Sequence, residues 1–362
     1  MKILYISPEN TVGTLNLWKK AHERKGNECI FITLFSSKHK FQSDICLNLP
    51  LISSGKIYDN LRNKYYQLYR GELGNYKEKN GFPPQWRPNS LLENYFFQFR
   101  DWLWSFKVEK LISQLSLLEY DIIHLEWGLE FYRNGSFVKR LNKLGKPIIC
   151  TYHGQDLRTR GVIPVINRIS SLNLTSELDL IDKHPNIKYL FLPFDTQTYK
   201  PQYKLNNPIK ICHSPTNRYY KGSEKIISVC NKISKEFNAE FILIENMSHS
   251  ETLQIKSECD IFIDQIYGRG GWGYGMNSIE ALSMGLCCMT EMNTIYEKFI
   301  PDHPFININS ANIYTKIKDL LSNPKLILYY KKRGHIWVKN YHDIDSTIDK
   351  LYNYYNQYNL IK

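Results

Sequence analysis

Apolar and polar positions fall into alternating blocks along the chain. KILYIS at 2–7 is an apolar, β-branched run, the stretch from Thr14 to Lys25 reads as a helix closed by Gly26, and CIFITLF at 29–35 is a second apolar run. Short apolar runs bounded by turn residues predict buried strands, and the order strand, loop, helix, strand predicts a right-handed βαβ unit. Parallel sheets of such units carry ligands at the C-terminal ends of their strands, so the loop ENTVGT after the first strand is a cleft candidate. Residues 52–118 interrupt the alternation with a dense mixture of aromatic and basic side chains, including YYQLYR at 65–70, QWRP at 85–88 and FFQFRDWLWSFK at 96–107. It resumes with YDIIHLEWG (120–128), a helix around 134–144 ended by Gly145, KPIICTYHG (146–154) and KYLFLPF (188–194).

TYKPQYKLNNP, from Thr198 to Pro208, is polar, proline-containing and free of apolar periodicity, as a linker should be. A second alternation follows, with strands expected at IKICHS (209–214), EFILIE (240–245), CDIFIDQI (259–266) and LCCMTEM (286–292). Helices are expected at 222–236, 250–257, 276–284 and 310–321. Ile344, Ile348, Leu351, Tyr352 and Tyr355 form a helical stripe near the C-terminus that must pack on something. The pattern predicts an α/β protein of two doubly wound domains, 1–200 and 201–342. The helix in 343–362 is expected to pack back on the N-terminal domain.

Composition narrows the partners. The 362 residues, 43% of them hydrophobic, are more than one compact core accommodates, which again favours two domains. Lys and Arg number 47 against 35 Asp and Glu, a net charge of +12, and such a field favours anionic partners. The eight cysteines include no CxxC pair and several sit inside strand-like runs, which suits reduced thiols in a cytosol and implies no metal or redox site. The opening apolar run, broken by Pro8, is too short for a signal peptide, and no segment reaches the about 20 apolar residues of a membrane span. The expected location is cytoplasmic, peripheral at the inner membrane face where membrane contact occurs.

Three segments carry candidate chemistry. HSPTNRYYKG at 213–222 sits between a predicted strand and a helix, where Arg218 and Lys221 could neutralise a diphosphate, Arg as a planar fork and Lys as a mobile point charge. On spacing alone, two solvated surface cations fit as well. GRGGWGYGMNSIEALSMG at 268–285 places glycines just before a helix, whose free amides and positive dipole end attract phosphate, with Glu280 one turn in to hold a ribose hydroxyl. No GKS or GKT follows, so this is no Walker loop, and by itself it is also consistent with a flexible surface turn. TYHGQDLRTRG at 151–161 sets His153, Asp156 and Arg158 directly after a strand, where the histidine could bond a sugar hydroxyl or serve as a structural turn residue.

The order of these segments, with LPFDTQTYKP at 192–201, resembles the retaining family 4 of GT-B glycosyltransferases over nearly the whole chain. The family's basic pair before a glycine is matched by Arg218, Lys221 and Gly222, and the later glutamate of its E(x7)E pattern by Glu280, followed by ALSMG. The earlier glutamate, which contacts the donor sugar in the family, is replaced by Trp272. DIIHLEWG, GKPIICTYHGQDLR and IDQIYGRGGWGYG are similar to a subgroup in which that acid is commonly absent.

The resemblance implies a GT-B fold, two Rossmann-like doubly wound domains facing each other across a cleft. It also implies transfer of a sugar from a nucleotide-diphosphate sugar to a glycan or lipid-linked acceptor, with retention and without a metal or other cofactor. Arg218, Lys221 and the backbone near Gly275, Met276, Asn277 and Ser278 would hold the diphosphate, Glu280 the ribose and His153 the donor sugar. Gly13 and Thr14, with Asp156 and Arg158, would lie on the acceptor side. The acids of DID at 343–345 are expected to cap the terminal helix rather than hold a metal. Two other readings are an inactive GT-B-like protein that binds a nucleotide sugar, prompted by Trp272, and a nucleic-acid-binding protein using the aromatic and basic stretch; no recognised nucleic-acid module accompanies that stretch. The stretch from Tyr65 to Lys107, with Trp86, Trp102, Trp104, Phe96, Phe97 and Phe99 among Arg87, Arg100 and Lys107, could also meet an anionic membrane or a lipid-linked acceptor. At helical spacing, Phe96, Phe99, Leu103 and Phe106 are expected to form a core face instead.

Overall fold

The computed structural model describes residues 1–37, 40–51, 81–88, 90–154, 156–269, 273–300 and 302–361. YYQLYR at 65–70 lies outside them. Met1–Phe191 with Ile348–Lys362 form one compact unit, and Leu192–Thr347 form a second.

In the first unit β1 (Lys2–Ser7), β2 (Glu28–Thr33), β3 (Ile45–Cys46), β4 (Ile122–Glu126), β5 (Ile148–Tyr152), β6 (Leu172–Thr175) and β7 (Ile187–Tyr189) make one parallel sheet in the order β3-β2-β1-β4-β5-β6-β7. Every residue of β4 is buried, as is all of β1 after Lys2, because helices cover both faces of a doubly wound sheet. Those helices include α1 (Thr14–Arg24), α2 (Leu91–Gln114), α3 (Ser136–Lys143) and α4 (Pro164–Ile169). Leu4, Ile6, Ile123, Leu125 and Ile148 of the sheet share a core with Trp104 and Val108 of α2 and Phe137 and Leu141 of α3.

The helix α2 corrects the expected core face. Its buried residues are Arg100, Asp101, Trp104, Val108 and Ile112, one stripe at spacings of three and four. Phe96, Phe99 and Phe106 point outward, 41%, 55% and 65% exposed, and Leu103 is only half-buried. Two polar residues can occupy the inner stripe because they satisfy each other. Arg100 bonds Asp101 at 2.6 and 3.2 Å and lies 4.0 Å from the Trp104 ring centre, and Asp101 also accepts the Arg133 amide at 2.7 Å.

The second unit carries β8 (Ile209–His213), β9 (Ala239–Leu243), β10 (Ile261–Ile263), β11 (Cys287–Thr290) and β12 (Ile306–Asn307), a parallel sheet ordered β12-β11-β10-β8-β9. Its helices are α5 (Arg218–Lys221), α6 (Ser223–Glu236), α7 (His249–Ser257), α8 (Met276–Ser283), α9 (Thr294–Phe299), α10 (Ile313–Ser322) and α11 (Pro324–Tyr341). Ile211, Ile261, Ile263, Cys287 and Met289 pack with Ile226 and Ile233 of α6 and Ile317 of α10. In both sheets the order reverses beside the first strand, between β1 and β4 and between β8 and β10. These switch points open crevices beyond the strand ends, where ligands of such sheets bind.

The last helix, α12 (Ile344–Gln357), starts in the second unit and ends in the first. Asp343 caps it, accepting the Asp345 amide at 3.0 Å and the Thr196 hydroxyl. In the first unit Tyr352 pairs with His22 (3.0 Å) and Asn27 (2.7 Å), and Tyr355 with His124 (2.6 Å). Tyr5 completes the buried group, bonded to His22 at 3.0 Å and stacked on His124 with ring centres 4.2 Å apart.

Candidate functional site

In the second unit the switch point is built from the ends of β8 and β10. Burial pushes His213, the last residue of β8, down to about 4, although the Ile263 carbonyl pulls the other way. The ring is therefore neutral at pH 7, donating from Nδ1 to that carbonyl at 2.8 Å and accepting the Ser223 hydroxyl on Nε2 at 2.8 Å. The chain then turns through Asn217, whose side chain caps α5 by accepting the amides of Tyr219 and Tyr220. Gly222 follows at φ 66°, and a Cβ there would come within 2.5 Å of Ile266 Cγ1. Only glycine lets this loop press so closely on the segment leaving β10.

That approach sets Lys221 on a buried carboxylate. Its ammonium donates to Asp264 and, at 3.2 Å, to the Gln265 side chain, while the other Asp264 oxygen accepts the Ser278 hydroxyl at 2.6 Å. Burial opposes ionisation of Asp264, but the Lys221 charge and the two hydrogen bonds outweigh it and hold the carboxyl below its usual range. One buried anion thus ties the loop after β8, the end of β10 and the first turn of α8 together.

The neighbouring Arg218 is half-exposed and gripped by Glu245 at 2.8 and 2.6 Å and by Glu224 at 3.1 Å. Both candidate diphosphate cations therefore have protein carboxylates as partners.

The helix α8 begins after Gly275, whose carbonyl accepts the first helical bonds from Ser278 (3.0 Å) and Ile279 (3.2 Å). The amides of Met276 and Asn277 precede that ladder, which leaves them directed out of the helix end. The Asn277 side chain is fixed by Ser214 and by Lys256, which donates to it at 2.7 Å. One turn on, Glu280 is 4% exposed and doubly held, by Lys256 at 2.6 Å on one oxygen and His249 at 2.8 Å on the other. Burial again opposes its ionisation, and the Lys256 charge with the His249 and Lys256 bonds outweighs it, lowering the pKa. Trp272, Gly270 and Gly271 lie outside the described residues.

In the first unit, a cluster of charges sits at the ends of β4, β5 and β6. His153 follows β5, its amide donates to both Asp156 oxygens at 3.0 and 2.9 Å, and its Nε2 bonds Glu126, the last residue of β4, at 2.5 Å. Burial pulls this imidazole down, but the charge and hydrogen bond of Glu126, with the charges of Asp156 and Glu177, carry it up to about 9. At neutral pH it is an imidazolium whose Nδ1 has no partner among the described residues. Arg158 reaches Asp179 at 2.7 and 2.6 Å and Glu177 at 2.9 Å, passing so near Gly154 that a Cβ there would stand 2.5 Å from its guanidinium. Gly13, at φ 74°, precedes α1, which opens on the half-buried Thr14 at the β1 switch point.

No protein-family model matches the chain, and no curated protein matches its sequence. Solved structures do resemble it. HepE from Anabaena in complex with UDP is 11% identical, with a TM-score of 0.56 over 99% of this chain and 100% of its own. Sucrose-phosphate synthase from Thermosynechococcus elongatus is 10% identical, with a TM-score of 0.62 over 99% of each chain. An α-glucosyltransferase in complex with UDP and a 13-mer DNA is 12% identical, with a TM-score of 0.57 over 98% of this chain and 99% of its own. The chain has the GT-B fold.

Within this GT-B chain, Lys221 and Ser278 meet around Asp264, Gly222 presses on Ile266, and Asn277 and Glu280 meet around Lys256. Arg218 stands apart from Asp264, on Glu245. Asp156 is turned onto backbone amides and Arg158 onto two acids, so both shape the turn after β5, and His153 is the member of that trio with an open nitrogen. Sequence reasoning missed Asp264, Lys256, Glu245 and Glu126. Asp264 and Glu126 end apolar strand runs in CDIFIDQI and HLEWG, and an acid at the C-terminal end of a buried strand was the available signal. No group of His, Cys, Asp or Glu side chains able to hold a metal ion occurs among the described residues, and no helix among them is long and apolar enough to cross a membrane.

Proposed function

We propose that the chain is a glycosyltransferase that moves a sugar from a nucleotide-diphosphate sugar to a glycan or lipid-linked acceptor. The observation that carries this reading is the Lys221–Asp264–Ser278 link, which anchors a cation beside the first turn of α8 at the β8/β10 switch point. A diphosphate at the amides of Met276 and Asn277 would meet the helix dipole and Lys221, and would recruit Arg218 from Glu245. Glu280, ionised and fixed by Lys256, would accept a ribose hydroxyl, while the His153 imidazolium would donate to a sugar hydroxyl through Nδ1.

Two cations and a helix end supply the charge that a departing diphosphate needs, which supports transfer without a metal. Transfer with retention is part of the proposal. The sugar–phosphate bond would break, the acceptor oxygen would bond the same face of the anomeric carbon, and its proton would pass to the departing phosphate. Membrane contact is proposed through the outward aromatic face of α2.

Thermal shift with UDP-, GDP- and ADP-glucose tests the reading, since a ligand bound only by the folded state raises its stability with the logarithm of concentration. One donor is expected to raise the melting temperature and to be hydrolysed slowly without acceptor. No shift with any of the three, nor with other nucleotide sugars, would overturn it. A binding-only protein is the second reading, favoured by the carboxylates that occupy Arg218, and it predicts the shift with no hydrolysis or transfer.

A further inference from the structure

A cavity of about 440 Å³ lies in the first unit between α2 and the segment joining β4 to α3. This is within the about 300–1,000 Å³ of small-molecule sites. It shares no residue with the His153 and Glu126 cluster, and none with the second unit. Its apolar walls are Trp86, Phe97 and Trp102. Trp102 is 55% exposed, an uncommon setting for so large an apolar ring.

Its polar lining includes one stripe of α2, in which Asn94, Gln98 and Ser105 follow at spacings of four and seven. The side-chain amides of Asn94 and Gln98 have no hydrogen-bond partner among the described residues. Each offers both a donor and an acceptor, and one helical turn separates them by about 5–6 Å, comparable with the width of a pyranose ring. The two carboxylates on the wall are already satisfied. Asp101 is taken by Arg100 and the Arg133 amide, and Glu109 by Tyr132 at 3.0 Å and Arg140 at 2.7 Å. An anionic ligand would face two acids against the one guanidinium of Arg133, and a cation would face that guanidinium and gain little from carboxylates so occupied.

The Arg133 guanidinium on the wall lies 5.3 Å from the Trp86 ring centre and 5.4 Å from that of Phe97, which leaves the exposed Trp102 ring, beside the two amides, as the aromatic surface for a ligand. An aromatic ring beside paired amides matches the chemistry of a neutral saccharide. Its C–H faces lie against rings, and its hydroxyls both donate and accept. We infer that this cavity is a binding subsite for a neutral saccharide unit. Resting on the glycosyltransferase reading, that unit is part of the acceptor glycan, held on α2 by residues outside the His153 cluster.

The test is calorimetric titration of the full chain with maltotriose, cellotriose, mannotriose and triacetylchitotriose, with tryptophan fluorescence followed in parallel. At least one trisaccharide is expected to bind and to perturb the fluorescence. Gln98→Ala should weaken that binding by about 2–10-fold, the range for one neutral hydrogen bond, and Trp102→Ala by about tenfold or more. Both side chains are exposed, so both variants should keep the wild-type melting temperature. UDP binding is measured on the same samples and should be unchanged, which separates failure here from failure of the donor reading. The subsite is overturned if none of the four binds, or if binding is unaltered in both variants.

Discussion

At the level of single residues, the partners of the two candidate cations decide what their removal does. Lys221→Ala removes the charge facing Asp264, which is fully buried, and an unpaired buried carboxylate costs on the order of 3–5 kcal/mol. Loss of transfer in that variant alone would therefore confuse chemistry with folding. The double variant Lys221→Ala/Asp264→Asn is expected to recover the melting temperature while transfer stays depressed by about 2–4 kcal/mol in the barrier, a factor of roughly 30–1,000. Recovered stability with full turnover would remove Lys221 from the mechanism. Arg218 behaves differently because its partners are at the surface. Glu245→Gln should release the guanidinium and tighten UDP binding by up to about fivefold, the worth of one exposed ion pair. Weaker UDP binding in Glu245→Gln would instead make Glu245 a positioning residue for Arg218.

At the level of elements, the strands were the legible part of the chain. Runs such as KILYIS and IKICHS announce themselves because strands buried on both faces tolerate few polar side chains. The short strands β3 and β12, two residues each, are fixed by tertiary pairing and leave no periodic trace. The helix α2 was hidden for another reason. Its buried stripe contains Arg100 and Asp101 and its outward stripe contains Phe96, Phe99 and Phe106, so the usual apolar-in, polar-out signal is inverted. The same principle limited the site. Glycines and cations stand out in a sequence, whereas the acids that position them do so only through contacts distant in the chain, 43 residues in the case of Lys221 and Asp264.

That inverted helix sets the membrane prediction. Leu92, Tyr95, Phe99 and Phe106 follow at spacings of three, four and seven along the outward face, beside the Trp102 ring of the cavity wall. Two of the cations expected beside them are used internally, since Arg100 is buried on Asp101 and Lys107 donates to the Leu47 carbonyl. The contact should thus depend more on apolar insertion than on anionic lipid. In flotation with phosphatidylcholine vesicles, with and without phosphatidylserine, both are expected to carry the protein. Phe99→Ser and Phe106→Ser should each lower partitioning by about tenfold, from about 1.5 kcal/mol or more per ring. Failure to float with either vesicle would refute membrane contact through α2.

At the level of the whole molecule, buried titratable groups in both units set opposite limits on the pH range of stability. Burial lowers His22 to about 3, His184 to about 4, His213 to about 4 and His342 to about 4, and pushes His124 well below its usual value. A histidine depressed in the folded state contributes stability that is full above its unfolded pKa of about 6.5 and is lost as pH falls towards the folded value. Each shift of that size corresponds to an order of a few kcal/mol, so five such rings make acid unfolding steep. Glu130 and His153 are among the groups that act in the other direction. Burial raises Glu130 to about 8 despite the amides it accepts, and the stability this brings is present below about 4.5 and lost as pH rises through 8. The His153 pairing with Glu126 is likewise full below about 6.5 and lost as pH rises through 9. Together they predict a urea midpoint that is highest near neutrality and falls on both sides, more steeply towards acid. Glu130→Gln should reduce the decline between neutrality and about pH 8, because it removes the buried charge while keeping an acceptor for the Phe137 amide, and should steepen the acid limb between about 4.5 and 6.5, where the Glu130 contribution had opposed that of the histidines. An alkaline limb that persists undiminished in Glu130→Gln would exclude Glu130 as its cause and leave it to His153 and the buried thiols and phenols, whose pKa values burial also raises.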